Sequence, residues 1–360
     1  DNTAVGKNAL AANTTGAQNT AVGKDALDAN TTANDNAAFG VGALGVMNGG
    51  DGKNCAFGNY SGDAITTGDS NNLFGYQAGS AITTGDNNDC FGTKAGKAIT
   101  TADDNIAIGN ESLIANTTGA GNVSIGVQCL HDLTSGTDNV HIGRYAGAYR
   151  TTGDNNTCVG QEAGRGNPGS DVATGSNNSC FGRGAGEDIR SGNYNLLLGV
   201  NAGKHASPSG TISTQTGIVV LGDNNITELY CADTSISSSD SRDKTDVTDF
   251  THGLSWIKEL RPVTYRWDRR TWYSDDKSVT PDGSKKKDRL HIGFLAQEAI
   301  EVEKKHGYAG NKDDMLIVNQ DNDDADPSYG MKYERLVPVL VNAIKELSAE
   351  VEQLKSQLNN

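Results

Sequence analysis

One glycine recurs through the first 200 residues with an almost constant period, and that period limits what the chain can fold into. It stands at Gly6, Gly23, Gly40, Gly58, Gly75, Gly92, Gly109, Gly126, Gly143, Gly160, Gly182 and Gly199, and nine of the eleven steps are 17 residues long. A step of 18 spans Gly49-Gly50, and one of 22 carries Gly166-Asn167-Pro168-Gly169. Four residues before each glycine is an asparagine, from Asn2 and Asn19 through to Asn178 and Asn195. A larger apolar residue comes directly before it (Val5, Phe39, Phe74, Ile108, Phe181, Leu198), and Ala, Ser or Cys follows three residues later. Most periods also contain Thr-Thr-Gly or a near variant, as in Thr66-Thr67-Gly68 and Thr151-Thr152-Gly153. Such a unit is too short for a helix pair and describes one coil of a β-solenoid. Twelve coils stacked at about 4.8 Å make a rod roughly 55–60 Å long. The asparagine column can form an amide ladder, and a glycine after each strand suits a corner at positive φ.

The strand itself points to more than one chain. Two residues before each glycine the side chain is mostly small (Ala4, Ala21, Ala38, Ala56, Cys90, Cys158, Cys180), while the next one is large and apolar. Neighbouring strand residues face opposite ways, so both faces read as buried. One face fills the thin coil and the other needs a second copy, which makes a homotrimer of solenoids the expected assembly. His141 at the small position reads as a packing variant rather than a ligand.

Cys55, Cys90, Cys129, Cys158 and Cys180 sit at small or inward-reading positions and are expected as buried thiols. No pair of them has metal-ligand spacing. The acidic turns, such as Asp86-Asn87-Asn88-Asp89 and Asp103-Asp104, lack the pattern of a calcium loop, so neither metal nor cofactor is expected. Consecutive threonines point opposite ways on a strand, which spoils a flat ice-matching array. The Asn-Thr-Thr triplets at Asn13 and Asn116 follow from the repeat and need no glycan.

Beyond the repeat the composition changes. Of the 45 glycines, 37 fall in residues 1–210, whereas Trp256, Trp267 and Trp272 all lie after residue 250. The 30 basic and 45 acidic residues leave a formal charge of -15, spread over both halves, which argues against a nucleic-acid partner. No run of 18 apolar residues is present, so membrane insertion is not expected. The sequence opens at Asp1 without a signal-like segment, as a fragment or processed product would. Residues 1–206 form the repeat domain, and 207–238 read as a β neck in which Ile218 to Gly222 and Ile226 to Cys231 are short strands. Lys285-Lys286-Lys287 reads as a solvated loop.

A terminal helix is expected over 331–358. Leu340, Ile344, Leu347, Val351, Leu354 and Leu358 follow spacings of four and three, the seam of a coiled coil. A single amphipathic helix docked on its own domain is the competing reading. The length and terminal position of the seam favour self-association of parallel chains.

Four stretches in order carry a resemblance. They are Ser239-Asp240-Ser241-Arg242-Asp243-Lys244, Leu260 to Tyr265 (Leu-Arg-Pro-Val-Thr-Tyr), Ile292 to Glu298 (Ile-Gly-Phe-Leu-Ala-Gln-Glu), and Tyr333 to Pro338 (Tyr-Glu-Arg-Leu-Val-Pro) running into the helix. Residues 239–360 thereby resemble the endosialidase-type intramolecular chaperone domains, self-cleaving C-terminal trimerisation modules of phage tail spikes and fibres. The repeats are similar to trimeric autotransporter adhesin heads and to phage fibre shafts. The resemblance implies a Ser239/Lys244 dyad that cuts the backbone between Ser238 and Ser239. The serine hydroxyl attacks the Ser238 carbonyl once lysine removes its proton, and water hydrolyses the resulting ester. Asp240 and Arg242 orient that loop; Gln297 and Glu298 belong to a matched motif without an assigned chemical role.

The expected whole is mainly β: a trimeric parallel β-solenoid of 17-residue repeats, then a small α+β chaperone domain (239–360) ending in a coiled-coil helix. The corresponding function is a virion tail fibre or spike, made in the host cytoplasm, that attaches to a host-surface glycan or protein receptor. Its other partners are tail proteins of the same virion. The competing reading is a purely structural shaft that keeps its trimerisation domain uncleaved. A glycan-degrading enzyme would need two carboxylates gathered in a groove, and the repeats collect none.

Overall fold

The computed structural model describes residues 1–169, 173–205, 207, 209–226, 241–273, 279–320 and 329–359, without the side chains of residues 243 and 271. The chain divides into two compact units, Asp1–Thr227 and Glu228–Asn360. Unit one is a parallel β-solenoid. Thirteen strands of three residues, from β1 (Thr3–Val5) to β13 (Val219–Leu221), form one sheet in strict chain order. Registers are direct, so Ala21 pairs with Ala38, and Cys90 with Ala107.

Asparagine fixes that register. The Asn71 backbone N–H and side-chain amide both donate to Asn54 Oδ1 at 3.0 Å, and the same amide donates to the Gly85 carbonyl at 2.9 Å. From Asn19 to Asn195 the column is 2% exposed or less. Each side chain thus satisfies backbone groups of its own coil and of a neighbour, with no water available to do so. A second ladder comes from the first threonine of each pair: Thr66, Thr83 and Thr100 donate to the carbonyls of Thr83, Thr100 and Thr117 at 3.0–3.1 Å. The acidic turns form a third. Asp86 Oδ1 accepts from Asp69 N–H at 2.7 Å, and Asp103 Oδ1 from Asp86 N–H at 2.8 Å. These carboxylates cap backbone donors, and among the described residues no group of three His, Cys, Asp or Glu is placed to hold a metal.

The repeated glycine is demanded twice. Gly75 has φ +144, and a Cβ there would overlap the Gly92 carbonyl of the next coil. Side-chain volume inside the coil follows its own rule. Where the inward strand residue is Ala or Ser (Ala21, Ala38, Ala107, Ser124), the residue six further on is Leu (Leu27, Leu44, Leu113, Leu130). Where it is Leu, Cys or His (Leu73, Cys90, His141, Cys158), that residue is Gly (Gly79, Gly96, Gly147, Gly164). Both occupy one space: a Cβ on Gly147 would overlap the His141 ring, and one on Gly79 would crowd Leu73. The leucines accept φ near +50, a conformation uncommon for branched residues, because it places them in the core. Ala56 with Gly62 departs from the rule, the gap being filled by Leu44, Leu73 and Ile65. His141 is therefore a packing residue, fully buried.

The other strand face looks outward. Residues directly before the glycines form an apolar ladder that is partly open to solvent: Phe57, Phe91, Ile108, Ile142, Phe181, Leu198 and Leu221 are 36–41% exposed. Phe39, Phe57, Phe74 and Phe91 stack with ring centroids 4.4–5.0 Å apart. Cys55 lies on this outward face, half-buried, because its position is three before the glycine rather than two. The neck expected from residue 207 instead begins with a thirteenth coil, since β13 pairs with Leu196–Leu198. The second strand expected in that neck, Ile226 to Cys231, lies beyond Ile226 outside the described residues.

Unit two is a small α+β domain. It contains α1 (Leu254–Glu259), β14 (Val263–Tyr265), β15 (His291–Gly293), α2 (Ala296–Lys305), β16 (Val318–Gln320), β17 (Tyr329–Met331) and α3 (Leu336–Leu358). β14 pairs antiparallel with β15, and β16 with β17. The core gathers Trp256, Ala299, Ile300, Val302, Ile317, Val318 and Val339. The terminal helix starts at Leu336, not at residue 331, because Tyr329–Met331 is a strand and Tyr333–Arg335 a 3-10 turn. Pro338 then falls in the first helical turn, where its missing N–H costs nothing. No described helix is long and apolar enough to cross a membrane.

Replacing Asn105 by Ala leaves the Asn122 N–H and amide, now 3.0 and 3.1 Å from Asn105 Oδ1, without that acceptor. The amide keeps the Ala120 and Gly136 carbonyls, so one buried N–H is orphaned, a loss of roughly 1–3 kcal/mol. Chemical denaturation and hydrogen exchange around residues 88–122 test this, with Thr101→Ala, an exposed site, as the control that changes little.

Candidate functional site

The first motif divides at the edge of what is described. Ser238, Ser239 and Asp240 lie outside the described residues, so no dyad distance can be given. Ser241–Asp243 makes one 3-10 turn, closed by the Lys244 N–H donating to the Ser241 carbonyl at 3.4 Å. Arg242 and Lys244 are exposed in the single chain. A lysine accepts a proton readily only once desolvated.

The other three motifs meet. β14 carries Val263-Thr264-Tyr265 and pairs with β15, Val263 opposite Gly293 and Thr264 opposite Ile292. Tyr333 of the fourth motif closes over the pair, its Oη accepting from the Phe294 N–H at 3.2 Å. A Cβ on Gly293 would overlap that hydroxyl and crowd Tyr265, which explains glycine at this strand position. Glu298 finds its role in this junction. Its carboxylate grips Arg261 in a two-pronged pair, Arg261 Nε donating to Oε2 at 3.0 Å and the second prong joining Nη2 to Oε1. Arg261 therefore holds the Glu298 carboxyl below the ordinary range, chiefly through that hydrogen bond. The pair is solvent-exposed, so it registers two motifs against each other more than it stabilises the domain. Gln297 beside it is exposed.

One residue that organises the domain is absent from the motif reading. Glu303 of α2 is fully buried, and its carboxylate accepts from three successive backbone N–H groups, Leu316, Ile317 and Val318, each at 2.8 Å. Those bonds anchor the segment entering β16. The sequence signal was present: Ala296, Ala299, Ile300 and Glu303 share one helix stripe, so an acid stands at an inward position.

The terminal helix separates two stripes. Leu336, Val339 and Ala343 are buried against the domain, Leu254 N–H donates to Glu346 Oε2 at 2.8 Å, and Asn342 Nδ2 donates to the Phe250 carbonyl at 2.5 Å. The heptad residues Leu340, Ile344, Leu347, Val351, Leu354 and Leu358 remain 41–85% exposed. The helix is docked at its start, yet the docking uses a neighbouring stripe and leaves the seam unused. The basic loop folds back locally, Lys287 lying 5.0 Å over the Trp272 ring.

Glu303→Ala leaves the buried Ile317 and Val318 N–H groups and the part-buried Leu316 N–H without their carboxylate acceptor, a loss of about 3 kcal/mol or more. Urea unfolding followed through buried Trp256 tests this, and Glu303→Gln, which keeps one acceptor oxygen, is expected to fall between.

Residues 239–308 match the family model described as chaperone of endosialidase. The match begins at the serine of the first motif and covers the first three motifs, while Tyr333 to Pro338 and α3 lie beyond it. No curated protein and no solved structure matches the chain. The second unit thus carries a stretch similar to an intramolecular chaperone domain, following a parallel β-solenoid.

Proposed function

We propose that three copies of this chain assemble into a fibre or spike whose C-terminal domain directs trimerisation and folding and is then cut off between Ser238 and Ser239. One observation carries the reading: each unit keeps a continuous apolar stripe that its own chain does not cover. In the solenoid this is the ladder from Val5 to Leu221, and in the C-terminal unit it is the heptad seam. Monomeric proteins rarely leave such stripes open, and both are continuous along an element, as self-association of parallel chains requires. The similarity of residues 239–308 to a chaperone of endosialidase supplies the folding role.

The cleavage step belongs to the same reading. Ser239 attacks the Ser238 carbonyl, Lys244 takes the hydroxyl proton, and the resulting ester is hydrolysed. Lys244 is exposed in one chain, so the desolvation that would make it a base has to come from the assembled domain. Coupling cutting to assembly in this way releases the chaperone only after it has acted, and its loss removes the route back. The solenoid left behind serves host-surface attachment on a virion, with a glycan or protein receptor. A structural shaft that keeps its chaperone domain is the second reading.

Mass analysis of the parent chain beside Ser239→Ala decides the chemistry. The parent is expected to split after Ser238 and the variant to stay whole; two intact trimers leave the shaft reading. For assembly, the double variant Ile344→Asp/Leu347→Asp is expected to sediment as a monomer while its chaperone domain stays folded, since both residues are exposed. A trimer unaffected by it removes the coiled coil from the proposal.

A further inference from the structure

The coils around the 22-residue step hold a group of side chains that the repeat does not require. The inward strand residues of three successive coils are His141, Cys158 and Cys180, in direct register. All three are fully buried. Arg150 is buried with them, at 1% exposure, where equivalent positions carry Ile82, Ile99 or Leu133. Its Nη2 donates to the Gly175 carbonyl, but Nε and Nη1 have no hydrogen-bond partner, nor has either ring nitrogen of His141. A guanidinium stays charged in a protein, and a buried charge without a counter-ion is strongly destabilising. No carboxylate accompanies Arg150 in a described ion pair. The anion-forming groups whose charges act on it are the Cys158 and Cys180 sulfurs.

The geometry points to Cys158 and Cys180 as a redox pair, whose oxidation to a disulfide ties the coil before the 22-residue step to the coil after it. In-register parallel strands place paired Cα atoms about 4.8 Å apart, inside the range a disulfide spans, and both side chains point into the same coil interior. Gly164 and Gly186 leave the room: a Cβ on either would overlap the sulfur of Cys158 or Cys180 respectively.

The two thiols divide the chemistry. A hydrogen bond from Cys180, then the charges of His141 and Arg150, hold the Cys158 thiol well below its usual range, against the opposing effect of burial. That bond and burial push Cys180 up. Elsewhere in the same solenoid burial pushes the Cys90 and Cys129 thiols up to about 12, which leaves them inert. The oxidant must be scarcely larger than water to reach this interior, and hydrogen peroxide meets that condition. The Cys158 thiolate attacks the O–O bond, forming a sulfenic acid and releasing hydroxide, which takes up a proton. The Cys180 sulfur then displaces the hydroxyl as water and forms the S–S bond. In sum, two thiols and one peroxide give one disulfide and two waters.

The full chain is exposed to hydrogen peroxide under native conditions, denatured in an alkylating reagent and mapped by mass. The expected product is a Cys158–Cys180 cross-link two hydrogens lighter, with Cys90 and Cys129 still alkylated. In Cys180→Ser, Cys158 is expected to stop at the sulfenic acid and to react with a dione trapping reagent added as the treated chain is denatured. Full alkylation of both residues, or a different cysteine pairing, would overturn the inference. Circular dichroism of the treated chain confirms that the fold was intact during reaction.

Discussion

The asparagine ladder is the interaction on which the solenoid depends. A coil of 17 residues has little apolar volume, and its corners expose backbone donors and acceptors to an interior without water. One side chain per coil that accepts from two donors of a neighbour and gives a bond to a carbonyl settles that problem locally. Because every asparagine is both donor and acceptor, the column extends itself until a coil lacks the residue. That happens at Ile218, whose backbone N–H takes the last acceptor, Asn195 Oδ1, at 2.9 Å. The sheet adds one more strand there, β13, the last of the sheet among the described residues.

The same facts explain what was legible in the sequence. The period, the strand before each glycine and the inward asparagine follow from residues that recur in every coil. The thirteenth coil was hidden because it is reached after 23 residues, from Gly199 to Gly222, and carries Ile218 where asparagine had stood. The pairing of Leu with Ala and Gly with Cys or His needs three-dimensional packing to be seen, since the two positions lie six residues apart and neither is constant. In the C-terminal domain the motifs were visible as strings but not as a junction. The Arg261–Glu298 pair joins residues 37 apart, and only the β14–β15 pairing brings them together. Glu303 was readable as an acid on an apolar stripe, although what it binds, three backbone amides of a later segment, was not. Of the proposed dyad, Ser239 falls outside the described residues, whereas Lys244 lies within them.

Uniformity along the rod has a cost that the packing rule only partly removes. Inside one chain, register is secured by unequal coils: moving His141 onto a coil with Leu at the position six ahead would collide with Leu130 or Leu113. Between chains, on the proposed assembly, the contact would be the outward ladder, and there neighbouring coils are nearly alike. Phe39, Phe57, Phe74 and Phe91 follow one another, then Ile108, Ile125 and Ile142. A slip of one coil exchanges like for like at seven of the twelve steps and one apolar residue for another at the rest, so the solenoid faces discriminate weakly against it.

The polar residues of that face are few: the Asn72–Asp89 pair, bonded at 2.7 Å, with Thr3, Thr20, Thr157 and Ser179, and they are little with which to align thirteen coils. Register therefore has to be set by something outside the ladder. A heptad seam of six apolar residues can do so, because there a slip of one or two residues moves charged positions into the seam rather than exchanging like for like. The seam lies C-terminal to the coils, so on the proposed assembly chains joined there would begin pairing from their last coils, and correct register would propagate by adjacency along a structure in which each coil contacts only its neighbours. A folding device that is needed once, at one end, and is redundant after the stack has closed is also one that can be removed without loss to the product. The weak discrimination of the solenoid face and the presence of a chaperone-like domain are in this sense two sides of one physical constraint.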